Sequence, residues 1–141
     1  IWSMNPGYDT VDGLIAYIRS YTSEYLDAFG IYCQVVRPAP GLQQEISGVK
    51  RRNLFLVIKE CLNNIVKHAG ATEVQMKIEV QHSIKVTIID NGKGMEASKQ
   101  NQFGNGLSNM QRRMENINGA FMLQTTAEAG TTITLTVPIS G

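Results

Sequence analysis

Residues 53–70 read Asn-Leu-Phe-Leu-Val-Ile-Lys-Glu-Cys-Leu-Asn-Asn-Ile-Val-Lys-His-Ala-Gly. Leu54, Phe55, Ile58, Cys61, Leu62, Ile65 and Ala69 recur at helical spacing, which predicts a helix over Asn53 to Ala69 with one side in the core. Gly70 ends it. Glu60, Asn63, Asn64 and Lys67 recur at i, i+3, i+4 and i+7, so they stand over one another along a second edge. An acid, two amides and an amine in line can grip a hydrated divalent cation and the phosphates it carries, although a solvated helix face has the same pattern. The former is favoured by a strand that ends in Asp90-Asn91-Gly92-Lys93-Gly94 and by a second glycine pair in Gly104-Asn105-Gly106.

Working outward, Val11, Leu14, Ile15, Ile18, Leu26 and Phe29 predict a first helix, capped near Asp9-Thr10 and left at Gly30. A short strand follows over Ile31 to Val36, broken by Arg37-Pro38-Ala39-Pro40-Gly41. Beyond the polar-striped helix, Val74, Met76, Ile78 and Val80 alternate with Glu73, Gln75, Lys77 and Glu79, a strand with one wet face. Gln81-His82-Ser83 turns it back into Ile84 to Asp90, making a hairpin. Glu96 to Phe103 lacks periodicity and is expected to be a mobile loop. Leu107, Met110, Met114 and Ile117 predict a third helix, and Phe121, Leu123, Ile133, Leu135 and Val137 a last hairpin around Glu128-Ala129-Gly130. Met110, Met114, Met122 and Tyr17 are core or half-core by spacing. Half-polar strands must cover one face with helices. The fold class is therefore α/β: a two-layer sandwich with a mixed, mostly antiparallel sheet of about five strands and three main helices on one face.

Composition excludes several classes. At 141 residues the chain is one domain, large enough for a self-sufficient core. A net charge of +1 gives no broad basic field for nucleic acid and no membrane-binding arm. No apolar run approaches the roughly 20 residues that span a bilayer. Cys33 and Cys61 read as buried thiols in a reducing compartment rather than a disulfide. The opening Ile-Trp-Ser-Met-Asn-Pro has no initiator methionine in first place, as expected of a domain from a longer protein.

Gly92-x-Gly94-x-x-Ala97 formally matches a dinucleotide fingerprint. That reading needs an amphipathic helix at once and a parallel partner strand, and the residues from Glu96 onward supply no apolar face. No G-x-x-x-x-G-K-S/T run exists, which excludes a P-loop. Asp90 at a strand end can accept a hydrogen bond from an exocyclic amine such as that of adenine. Gly92 and Gly94 let backbone approach a flat base. Gly104-x-Gly106 precedes a helix whose free N–H groups suit phosphate. Asn64 can offer an oxygen to Mg²⁺, and Lys67 a point charge to phosphate. In isolation, Asp90-Asn91-Gly92 is a simple turn, His68 a cap charge at a helix end, His82 an exposed turn residue, and Arg112 and Arg113 surface residues.

Taken together, E-C-L-N-N-I-V-K-H-A from Glu60, D-N-G-K-G-M from Asp90, G-N-G-L-S-N-M-Q-R-R-M from Gly104 and G-T-T-I-T-L-T-V-P from Gly130 resemble the ATP-binding domain of a sensor histidine kinase. They match its asparagine box, its two glycine boxes and its closing strands, in order, over about Asn53 to Ile139. The wider superfamily holds gyrase, MutL and the heat-shock chaperone ATPases, and its site is called the Bergerat fold. The short connection between the glycine boxes resembles the kinase branch. The resemblance implies that Asn64 holds Mg²⁺, that Glu60 orients a metal-bound water or acts as base, and that Lys67 touches phosphate. It places Asp90 on the adenine amine, Gly92, Gly94 and Met95 along the base, Gly104, Gly106 and Leu107 over the phosphates, and Thr131 at the adenine end. Asn63 is one residue off the metal position, and nothing is assigned to the side chain of Asn105.

The implied cofactors are ATP and Mg²⁺, and the implied partners an upstream dimerisation and phosphoacceptor domain and a downstream response regulator. Residues 1–8 are then the remnant of a linker and residues 9–140 the ATPase domain, cytoplasmic, in a parent anchored in the membrane. The domain itself touches neither nucleic acid nor membrane. Neither His68 nor His82 lies on a segment resembling a phosphoacceptor helix, so this chain is expected to bind ATP without phosphorylating itself. A serine kinase of the anti-sigma type and a non-catalytic ATP-sensing module stay open, and a gyrase-like or MutL-like ATPase fits less well.

Overall fold

A computed structural model of the protein describes residues 9–93, 106–126 and 130–140. The strands are β1 (Tyr32–Val36), β2 (Glu73–Val80), β3 (Ser83–Asp90), β4 (Ala120–Thr126) and β5 (Gly130–Pro138). They form one sheet in the order β1-β2-β3-β5-β4. Only β1 and β2 pair in parallel, with Tyr32 opposite Glu73 and Val36 opposite Lys77. The other pairs are antiparallel, with Val74 opposite Asp90 and Asp90 opposite Thr131. The period of two places Val74, Met76, Ile78, Ile84, Val86, Ile88, Ile133, Leu135 and Val137 on one buried face. The other face presents Gln75, Lys77, Glu79 and Lys85 to solvent.

Against the apolar face lie α1 (Val11–Ala28), α2 (Gly48–Asn64) with its continuation Ile65–Ala69 as a π-helical turn, and α3 (Gly106–Glu115). Thr10 caps α1, its hydroxyl accepting the Gly13 N–H at 3.1 Å. Leu14, Ile15, Ile18 and Leu26 are wholly buried, each such side chain contributing about 2 kcal/mol of transfer free energy. Thr22, also buried, sets its hydroxyl 3.8 Å from the Met76 sulfur. Asp12 pairs with Arg37 at 2.7 Å, joining the start of α1 to the exit of β1. The two-layer α/β reading, the strand hairpins and the single helix-covered face all agree with this architecture.

Several local expectations are corrected. The middle helix begins at Gly48 rather than Asn53, capped by the Ser47 hydroxyl on the Lys50 N–H at 3.2 Å. Lys50 and Arg51 interrupt the apolar pattern, yet both are buried because their charged heads reach carbonyls. Lys50 Nζ donates to the Pro138 carbonyl at 2.7 Å, and Arg51 to the Ile46 carbonyl at 2.8 Å. Phe29 lies past the end of α1 and is 55% exposed, its ring against Tyr25 rather than in the core. Met122 is 56% exposed, because the alternation of β4 turns it to the open face. Cys61 is buried, and desolvation pushes its thiol up to about 12; Cys33 is only half-buried. The expected loop over Glu96 to Phe103 and the turn at Glu128-Ala129 lie outside the described residues.

Candidate nucleotide site

The structure gathers several of the sequence-predicted residues into two groups. The first is a corner at the end of β3. Asp90 is 3% exposed and is the one buried acid among the described residues. Its carboxylate accepts the Gly92 N–H at 2.8 Å and the backbone N–H of Thr131, its neighbour on β5. Burial raises the Asp90 pKa above the ordinary carboxylate value, and these two donors pull it part of the way back. A carboxylate has about four acceptor positions, so capacity remains for a further N–H donor. Thr131 is half-buried, its hydroxyl 3.0 Å from that of Thr125.

Glycines let this corner close. A Cβ on Gly92 would run into the Ala69 carbonyl, the same oxygen that accepts the Lys93 N–H at 3.0 Å. The glycine is therefore demanded first by the end of the π-helical turn. Gly130 has φ +82° and packs on the Asp90 carbonyl. Asn91, read from sequence as a turn residue, also joins two strand ends. Its side-chain oxygen accepts the N–H groups of Thr72 and Glu73 at 2.9 and 3.0 Å, and its amide donates to the Thr72 hydroxyl at 2.9 Å. These bonds lock the β3 exit to the entry of β2.

The second group surrounds a cavity of about 580 Å³ over the outer side of α2. Leu56, Lys59, Glu60 and Asn63 come from α2, Tyr21 and Tyr25 from α1, and Gly106, Asn109, Met110 and Arg113 from α3. Glu60 and Gly106, predicted from separate motifs, thus share one hollow. Asn63 joins them, with its Oδ1 accepting the Tyr25 hydroxyl at 3.2 Å. Arg113 donates to the Asn53 side-chain oxygen at 3.3 Å. Tyr21 and Tyr25 are not singled out by any motif; spacing by four in Tyr17, Tyr21, Tyr25 and Phe29 is the sequence signal that finds them.

Asn64, Lys67, Asp90, Gly92, Leu107 and Thr131 are not among the residues lining that cavity. Asn64 is half-buried at the last position of α2, and Lys67 is exposed on the π-helical turn, which is brought against the Asp90 corner through Ala69. Single π turns in helices are frequent at functional sites. Leu107 is half-buried and packs against the core. Gly94, Met95 and Gly104 lie outside the described residues.

Comparison with known proteins decides the family. Residues 49–141 match the model for the histidine kinase-, DNA gyrase B- and HSP90-like ATPases. The chain belongs to that ATPase family. As a member, it is similar to the signal transduction histidine-protein kinase/phosphatase DegS of Brevibacillus brevis, 31% identical over 91% of this chain and 33% of that protein. It is also similar to the sensor histidine kinase YdfH of Bacillus subtilis, 32% identical over 88% of this chain and 31% of that one. The ATPase domain thus spans about a third of the curated relatives it matches. The histidine kinase domain of the Erythrobacter litoralis blue-light activated histidine kinase shares its fold, with a TM-score of 0.73 at 19% identity over 93% of this chain and 64% of that one.

Proposed function

We propose that this chain is the ATP·Mg²⁺-binding catalytic domain of a sensor histidine kinase, which donates the γ-phosphate to a histidine outside these 141 residues for relay to a response regulator. The reading rests above all on Asp90. A buried carboxylate with no ion-pair partner among the described residues is costly. An exocyclic adenine amine is a donor of the kind its remaining acceptor positions suit. The relatives named above are themselves histidine kinases, which supports the kinase branch of the family.

The donor set fits the ligand. The described residues hold no cluster of three or more His, Cys, Asp or Glu. One amide oxygen from Asn64 instead suits an ion that keeps several waters and is carried mainly by phosphate. When bound, the ion neutralises phosphate charge. The chain's own residues orient the nucleotide: Asp90 with Thr131 fixes the base, Lys67 offers charge to phosphate, and the N-terminal N–H groups of α3 at Gly106 and Leu107 face developing negative charge. Glu60 acts as base or orients a water at the phosphate end. Catalysis is then positioning with charge neutralisation. Gly94, Met95 and Gly104 complete the proposal along the base and over the phosphates.

No helix among the described residues is long and apolar enough to cross a membrane. We place the domain in the cytoplasm beside a phosphoacceptor domain of the same parent, with residues 1–8 as linker. His68 is exposed on the π-helical turn and His82 in the β2–β3 turn, and neither is offered as the acceptor. Calorimetric titration with a non-hydrolysable ATP analogue, with and without Mg²⁺, tests the binding: saturable, Mg²⁺-dependent heat is expected, and none would overturn it. Incubation with γ-labelled ATP should leave no stable label on this chain. Label on either histidine would sink the assignment of the acceptor elsewhere.

A further inference from the structure

Asn63 lines the same cavity as Glu60 and Gly106, and its side chain is held from a helix that the family match does not reach. The hydroxyl of Tyr25, on α1, donates to Asn63 Oδ1 at 3.2 Å. The Tyr25 ring itself packs against two further rings. Tyr21 stacks on it at 5.7 Å with 11° between planes, and the Phe29 ring lies 5.2 Å away, tilted by 56°. Both Tyr21 and Tyr25 also form one wall of the cavity.

A primary amide has an acceptor end and a donor end, and which end meets a ligand depends on what the other end is bound to. With its oxygen turned to the Tyr25 hydroxyl, the opposite end of the Asn63 amide is Nδ2, with two N–H donors to offer the cavity. An anionic ligand needs donors. The other walls agree: Lys59 and Arg113 carry positive charge there, and Gly106 opens the N-terminus of α3. A flipped amide would instead turn its oxygen toward phosphate, beside the carboxylate of Glu60.

We infer that Asn63 is a phosphate-contacting residue of the nucleotide site and that Tyr25 is its positioning residue, setting the amide so that it donates to the terminal phosphates. This rests on the functional reading above and adds to it a specificity element for the triphosphate over the bare nucleoside. It also makes α1 part of the binding machinery, through one hydroxyl.

The 141-residue chain is titrated calorimetrically with a non-hydrolysable ATP analogue plus Mg²⁺, and separately with adenosine, as wild type, Tyr25→Phe, Asn63→Ala and the double variant. Tyr25→Phe keeps the stacked ring, so melting temperatures should be nearly level. Its expected signature is roughly tenfold weaker analogue binding, the loss of one oriented hydrogen bond to a charged group, with adenosine binding unchanged. Asn63→Ala should behave alike, and the double variant should be no weaker than Asn63→Ala alone. Equal weakening of both ligands, independent additive losses, or analogue binding as tight as wild type in Tyr25→Phe would each overturn the inference while leaving the functional reading intact. A wild type that binds neither ligand overturns both.

Discussion

The two ends of the candidate site are built on opposite principles. At the β3 exit a charge is buried, held by backbone N–H groups and walled by glycines pressed on carbonyl oxygens. Over α2 the polar groups sit in an open hollow between three helices, on side chains rather than backbone. The first arrangement is rigid and selective for one donor geometry. The second can adjust to a group that must leave. A phosphotransfer domain needs both: it keeps the base and gives up the phosphate.

The largest effect expected from breaking this contrast is at the closed end. Asp90→Asn should weaken ATP-analogue binding by about 3 kcal/mol, roughly a hundredfold, measured calorimetrically. The same change should not lower the melting temperature at neutral pH. The folded-state pKa of Asp90 is raised, so its contribution to stability is fully present below the unfolded carboxylate pKa and is lost as pH rises through the folded value. Melting curves from about pH 3.8 upward should therefore fall less steeply in Asp90→Asn than in wild type. Analogue affinity in the wild type should weaken as acid protonates the carboxylate.

Gly92→Ala tests whether the closed end is a packing device. The new methyl meets the Ala69 carbonyl, and overpacking of this kind costs about 1–3 kcal/mol, read as a lower midpoint in urea. An unchanged midpoint would show that the corner yields. At Asn64 and Lys67, beside the corner and outside the lining of the hollow, the effects should be smaller and selective. Asn64→Ala is expected to remove the Mg²⁺-dependent part of analogue binding, about 1 kcal/mol, and to spare adenosine. Lys67→Gln, which removes an exposed charge, should weaken the analogue only about threefold, and less at high salt. A loss at Lys67 larger than at Asp90 would invert the comparison.

The same contrast explains what can be read from the chain alone. Alternation in Glu73 to Asp90 yields the central hairpin and its buried face because period and burial are local facts. The start of α2 is hidden because Lys50 and Arg51 look like surface residues; their carbonyl partners lie at Pro138 and Ile46, the former 88 positions away. The π-helical turn leaves no mark on hydrophobic spacing. Asp90 and its glycines are legible as a motif, but the reason for Gly92 is not, since Ala69 meets it only in three dimensions. In the open hollow, Glu60 and Gly106 come from motif reading, whereas Tyr25 needs the packing of α1 on α2. Motifs find groups that touch a ligand more readily than groups that orient them.

The packing of Gly92 on Ala69 has a historical corollary. A descendant of this domain that gave up its chemistry would be free to replace Asp90, and would gain by discarding a buried charge. It could not so easily give its backbone a methyl at Gly92. Among silent relatives, that glycine should therefore outlive the aspartate two positions before it, a fossil of architecture rather than of activity.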